Sequence, residues 1–133
     1  MKVVLYTNVL MAGLLRDSTV RSIIILSNAN FFLPEYSINE IKKYEHYLLE
    51  KSGYSLDEFK KLMNFLLEKI KIVEKEEIKL FMKQAETIMK YIDINDSSFI
   101  ATALAINADG IWSLDNDFKR QKIIRVFDTK DFL

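Results

Sequence analysis

The feature that most constrains this chain is the alternation of short apolar runs with longer amphipathic stretches. "KVVLY", "FFL", "IWSL" and "IIRVF" read as short buried strands, and "KIKIVE" reads as a strand or as the end of the preceding helix. Helical stretches lie between them. An apolar segment reaches Leu15, and "STVRSIIILSNA" follows with Ser18 as its cap. Two capping-box patterns, Ser37-x-x-Glu40 and Ser55-x-x-Glu58, each open an amphipathic run, with Gly53 between them. From Glu76 to Tyr91, Ile78, Phe81, Met82, Ala85, Ile88 and Met89 recur at helical spacing. A last helix starts near Asp96 and runs through "SSFIATALAINA", after which Gly110 punctuates. Strands alternating with helices predict βαβ units: a three-layer α/β/α domain with a mainly parallel central sheet. Nothing reads as a linker, a low-complexity tract or a repeat, so the expectation is one domain over residues 1–133.

Composition narrows the chemistry. Lys plus Arg and Asp plus Glu each total 19, so the formal net charge is zero. A neutral chain does not coat itself in nucleic acid by bulk attraction, which still leaves room for a nuclease with an acidic, metal-loaded site. The absence of cysteine excludes disulfides, thiolate zinc sites and cysteine nucleophiles. His46 is the only histidine and reads as a surface residue, so histidine-pair sites fall away. Lys2 ahead of an apolar stretch resembles the start of a signal peptide. However, Thr7-Asn8 interrupts the stretch and no small-residue cleavage site follows. No segment approaches the ~20 apolar residues of a membrane span, and a cytoplasmic protein is expected.

In an open parallel sheet, ligands bind beyond the carboxyl ends of the strands. Tyr6, Thr7 and Asn8 end the first strand, Asp115 ends "IWSL", and Asp117 follows two residues later. Asp96 opens the helix before that strand, and Glu40 lies early in the helix after "FFLPEYS". Carboxylates converging without histidine or cysteine suit Mg²⁺ or Mn²⁺, which prefer oxygen ligands and hydrolyse phosphodiesters by activating water. Each acid also has a plainer reading. Glu40 would be the reciprocal partner of Ser37 in a capping box, Asp96 an N-cap, Asp115 and Asp117 turn residues, and Asp93 a solvated loop residue. Lys119, Arg120 and Lys122 follow the acids and are either an RNA-backbone contact or a solvated face.

Taken together, "VVLYTNVLMAGLL", "SINEI" and "DSSFIATALAINADGIWSLDNDF" resemble the PIN domain family (PilT N-terminus) over nearly the whole chain. The last segment is the most specific: an Asp opening a small-residue helix, a turn, a strand, and a closing D-x-D-F. The resemblance implies a parallel sheet sandwiched by helices and Mg²⁺- or Mn²⁺-dependent endoribonuclease activity. It also implies kinship with toxins that pair with an antitoxin. By position, Glu40, Asp96 and Asp115 resemble the family's acidic metal-site residues, Asp117 its accessory fourth acid, and Asn8 its buttressing asparagine. Tyr6 stands where the family's first aspartate belongs, and a phenol is neutral at pH 7 and a poor ligand for Mg²⁺.

Two function classes follow: a metal-dependent ribonuclease, and a PIN-fold module that binds RNA or protein without hydrolysis. A Rossmann-like nucleotide binder is distant, because "YTNVLMAG" lacks the glycine spacing that cradles a pyrophosphate. The segment "SLDEFKKLMNFLLEKI" is more apolar than one core stripe requires. Leu62, Phe65 and Leu67 widen its face, which with the family's habit points to a homodimer.

Overall fold

The computed structural model describes residues 1–16 and 18–133. Five strands form one sheet: β1 (Lys2–Leu5), β2 (Asn30–Pro34), β3 (Ile70–Val73), β4 (Gly110–Trp112) and β5 (Val126–Phe127). Their order is β3-β2-β1-β4-β5 and every pairing is parallel. Pro34 is the last residue of β2, opposite Val73.

Alternation along each strand sorts the core into two layers. Val3, Leu5 and Trp112 pack on one face with Val9, Leu10, Ile24, Phe59 and Leu66. These come from α1 (Thr7–Gly13), α2 (Thr19–Leu26) and α5 (Leu56–Leu67). Val4 and Ile111 face the other way, against Ala85, Met89, Phe99 and Ile100. Those residues belong to α7 (Met82–Met89) and α8 (Ser97–Ile106). This is the expected three-layer α/β/α arrangement. The remaining helices are α3 (Glu35–Lys43), α4 (Glu45–Ser52) and α6 (Lys75–Ile78). Among the described residues, no helix is long and apolar enough to cross a membrane.

Several local expectations hold. Ser18 accepts the Arg21 amide at the start of α2, and Ser55 and Glu58 form a reciprocal capping box on α5. "KIKIVE" does contain a strand. Others change. The stretch Glu76–Tyr91 is not one helix, because a 3₁₀ turn at Lys79–Phe81 separates α6 from α7. Ser37 does not open a helix either. Pro34 holds the extended N-cap position and α3 starts at Glu35, which leaves Ser37 inside the helix and fully buried. On α5, Leu62 and Leu67 pack against the core, while Phe65 stays 44% exposed. Gly110 is required by close approach: a Cβ there would lie 2.6 Å from the Phe127 ring and 2.7 Å from the Arg125 carbonyl oxygen.

Candidate functional site

In this strand order the chain runs outward from β1 to β2 and β3, then crosses back to β4 on the other side of β1 and continues outward to β5. The crevice between the carboxyl ends of β1 and β4 is therefore the topological switch point, where open α/β sheets bind ligands. Tyr6 follows β1 directly, and its backbone amide donates to the Trp112 carbonyl at the end of β4. Asn8 ties the two strand exits together by accepting the Leu114 amide at 3.4 Å.

The phenol of Tyr6 reaches across the crevice to the start of α8. Its single hydroxyl proton is shared by both carboxylate oxygens of Asp96, at 3.0 and 3.1 Å. The ring meets Phe99 and Phe118 edge-on, with centroids 4.7 and 4.9 Å away. Phe118 is the closing residue of the D-x-D-F motif and is fully buried. Burial, the charge of Asp96 and its hydrogen bond, then the charges of Asp115 and Glu40, all push the phenol further above its ordinary range. Tyr6 is neutral at every physiological pH.

Asp96 is 6% exposed. Burial raises its carboxyl to about 6, the charges of Asp93, Glu40 and Asp115 add to the rise, and the Tyr6 hydrogen bond opposes it. Its position precedes α8 as expected, but its side chain makes no capping bond. The carboxylate is taken by Tyr6 instead. The cap of the preceding 3₁₀ turn (Ile94–Asp96) is Asp93, which accepts the Asn95 amide and is therefore more than a solvated loop residue.

Glu40 is positioned from the start of α1. Thr7 donates its hydroxyl proton to Glu40 Oε1 at 2.5 Å, and its oxygen lies 2.9 Å from the Ser37 hydroxyl. Thr7 has one proton to give, so Ser37 is the donor to Thr7. This Ser37–Thr7–Glu40 relay replaces the expected capping box. Sequence reading missed Ser37 as a site residue because S-x-x-E at spacing three also describes two residues on the same helix face.

Asp115 follows β4. Its amide donates to Ser113 Oγ at 3.2 Å, and its Oδ1 accepts the Asp117 amide at 3.0 Å. Of the three acids, Asp96 alone bonds the Tyr6 phenol, and Glu40 and Asp115 lie near enough for their charges to act on it. Asp117 is exposed and connects to the group only through Asp115. The basic trio is engaged within the chain. Lys119 pairs with Asp128 at 2.8 Å, Arg120 donates to the Tyr91 carbonyl, and Lys122 donates to the Lys119 carbonyl. His46 is on the surface beside Glu50.

Whether these residues suit a divalent ion has two answers. In chemistry they do, since the donors are oxygen only and a carboxyl raised by burial, with neighbouring negative charge adding to the rise, is relieved by a cation. In number they fall short. Among the described residues, no three histidine, aspartate or glutamate side chains stand ready to hold an ion, and the Tyr6 phenol beside Asp96 is neutral.

A cleft of about 500 Å³ opens beside this group, lined by Tyr6, Thr7, Asn8, Met11, Glu40, Tyr44 and Tyr47. A second, of about 450 Å³, lies on the other side of α3 and includes Tyr36, Lys75, Lys79, Met82 and Ser98.

Comparison with known proteins agrees with the fold. No curated protein matches the chain in sequence. The solved structure of VapBC2 from Rickettsia felis bound to a DNA fragment from their promoter is similar in fold. Its TM-score is 0.72 at 17% identity, covering 96% of this chain and 98% of that one. The family model described as PIN domain matches residues 4–131, taking in every strand end and acid described above. The chain belongs to the PIN domain family.

Proposed function

We propose that this protein is a PIN-type endoribonuclease dependent on Mg²⁺ or Mn²⁺, restrained by Tyr6, and that it acts in the cytoplasm as the toxin of a toxin–antitoxin pair. The observation that carries the reading is the Tyr6–Asp96 hydrogen bond across the switch point, with Glu40 and Asp115 near enough for their charges to reach the phenol. Asp96 and Asp115 would hold the ion, with Glu40 beside them and Asp117 reaching in through the turn it shares with Asp115. A bound divalent ion supplies water activation and neutralises charge on the attacking and leaving oxygens of a phosphodiester. The chain's own groups do the positioning. Thr7 fixes the Glu40 carboxylate, Asn8 locks the β1 and β4 exits together, and Phe99 and Phe118 wall the site from water on one side. The VapBC2 complex similar in fold supports an antitoxin-like protein as partner.

Cleavage of a labelled RNA in Mn²⁺ tests the reading. The wild-type chain should cut slowly, Asp115→Ala should abolish cutting, and Tyr6→Asp should raise it at least tenfold by completing the anionic set. No cleavage from a folded Tyr6→Asp protein would sink the nuclease reading.

A second reading has its own support. Tyr6 is hydrogen-bonded and packed on both ring edges, so it is a fitted residue and not a gap-filler. A PIN-fold module that binds RNA or protein without hydrolysis follows from that fit, and the same assay decides between the two.

A homodimer through α5 would rest on Phe65 and Leu56, which remain exposed on that helix. Sedimentation at tens of micromolar should then show a dimer, with Phe65→Lys shifting it to monomer.

A further inference from the structure

We propose that the α3–α4 face carrying Tyr36, Tyr44 and Tyr47 is a stacking platform for unpaired nucleotides of single-stranded RNA, with Glu40 in its middle. The inference deepens the nuclease reading and rests on it for RNA as the ligand. It does not require hydrolysis.

Positions 36, 40, 43, 44 and 47 recur at intervals of four, three, one and three, so they share one helix face. That face continues across the junction between α3 and α4. Tyr44, which caps one helix and opens the next, still donates its amide to the Glu40 and Ile41 carbonyls, and its own carbonyl accepts the Leu48 amide. At about 1.5 Å per residue, the three rings spread over roughly 16 Å.

Aromatic residues at helical spacing usually mark a core face, but here they do not. Tyr36, Tyr44 and Tyr47 are 38%, 48% and 51% exposed, while the adjoining side of the helices is buried through Ser37, Ile41 and Leu48. The rings flank both clefts beside the acids. Tyr44 and Tyr47 line the one that contains Tyr6 and Glu40, and Tyr36 lines the one that contains Lys75 and Lys79.

The chemistry of this face selects a nucleic-acid strand over an apolar peptide. Three of its five positions are tyrosines and none is aliphatic, and flat π faces accept any base. Lys43 on the face and Lys75 and Lys79 in the adjoining cleft, where Glu35 and Glu76 also lie, offer ammonium donors to individual phosphates without making the surface basic as a whole. Glu40 is anionic, which suits an exocyclic amino group of a base and opposes a phosphate. A strand laid along the face with its bases on the tyrosines would carry a phosphodiester past the candidate acids. A duplex keeps its bases stacked on each other and cannot use the platform.

The test is fluorescence anisotropy in EDTA, which separates binding from cleavage, with a short fluorescein-labelled single-stranded RNA. Each of Tyr36→Leu, Tyr44→Leu and Tyr47→Leu should weaken binding about 5- to 150-fold, the loss expected per stacked base. Phenylalanine at the same positions should retain it, and duplex RNA should bind far more weakly. Circular dichroism verifies that each variant is folded, and the exposure of the side chains makes that the expected outcome. Reduced binding by the leucine variants upholds the platform even if the wild-type chain never cleaves RNA, in which case only hydrolysis is lost. RNA binding unchanged by the leucine variants overturns the platform and leaves the nuclease reading standing. No RNA binding by the wild-type chain, or a protein partner that covers the tyrosines without competing with RNA, also overturns it.

Discussion

Tyr6 shows how much one side chain decides. Tyr6→Phe keeps the ring against Phe99 and Phe118 and deletes only the bond to Asp96, so it should destabilise the fold by about 2 kcal/mol at neutral pH. Denaturant unfolding in EDTA measures that loss. The same bond is what lowers the Asp96 carboxyl, whose value of about 6 is otherwise driven upward by burial. Folded Asp96 therefore holds its proton more tightly than the unfolded chain does. Its contribution to stability is complete below the ordinary carboxylate range and is lost as pH rises through about 6. Without metal, the wild-type protein should be more stable at about pH 5 than at about pH 7 relative to Asp96→Asn, and Tyr6→Phe should steepen that dependence. An unfolding free energy that tracks Asp96→Asn across this range would contradict the burial argument. Tyr6→Asp behaves differently: it loses the aromatic contacts and adds repulsion in EDTA, so its melting temperature should fall, and Mn²⁺ should then raise it more than it raises the wild type.

At the level of elements, the relay between α1 and α3 should be energetically coupled. Thr7 and Ser37 are buried and share one hydrogen bond, so Thr7→Val and Ser37→Ala should each cost about 1–2 kcal/mol. The double mutant should cost less than the sum, and strict additivity in a thermodynamic cycle would deny the relay. Gly110→Ala should cost more than either single change, because one of the two atoms it meets is the backbone carbonyl of Arg125, which moves only with the chain beside β5. These cases show what the sequence made readable. Strands were readable because short β-branched and aromatic runs repeat between helical stretches, and Asp96, Asp115 and Glu40 were readable because strand exits and helix starts lie at one sheet edge. The Tyr6–Asp96 bond was not, since it joins residues ninety positions apart and depends on where a ring fits. The start of α3 was missed because a capping box and a buried same-face pair have identical spacing, and Pro34 supplied the helix entry instead. The tyrosine row was present in the spacing of Tyr36, Tyr44 and Tyr47. It stayed silent because periodic aromatics mark core and surface alike until burial is known.

For the whole molecule, the absence of net charge makes a quantitative demand on RNA binding. A protein with 19 basic and 19 acidic residues gains nothing from long-range attraction, so affinity must come from local contacts. Lys119, Arg120 and Lys122 make contacts within the chain, and Lys43, Lys75 and Lys79 are the cations the platform would use. Each phosphate neutralised on a single strand contributes about −0.7 to the slope of log affinity against log salt, so three lysines predict a slope near −2. Stacking carries the rest and is insensitive to salt. Anisotropy titrations across a range of salt concentrations should give that shallow slope. Lys43→Gln should reduce its magnitude by about 0.7, and Tyr44→Leu should lower affinity without changing it. A slope steeper than about −4 would mean that more cations engage the strand than this face supplies, and would move the binding surface to the Lys119–Lys122 side of the molecule.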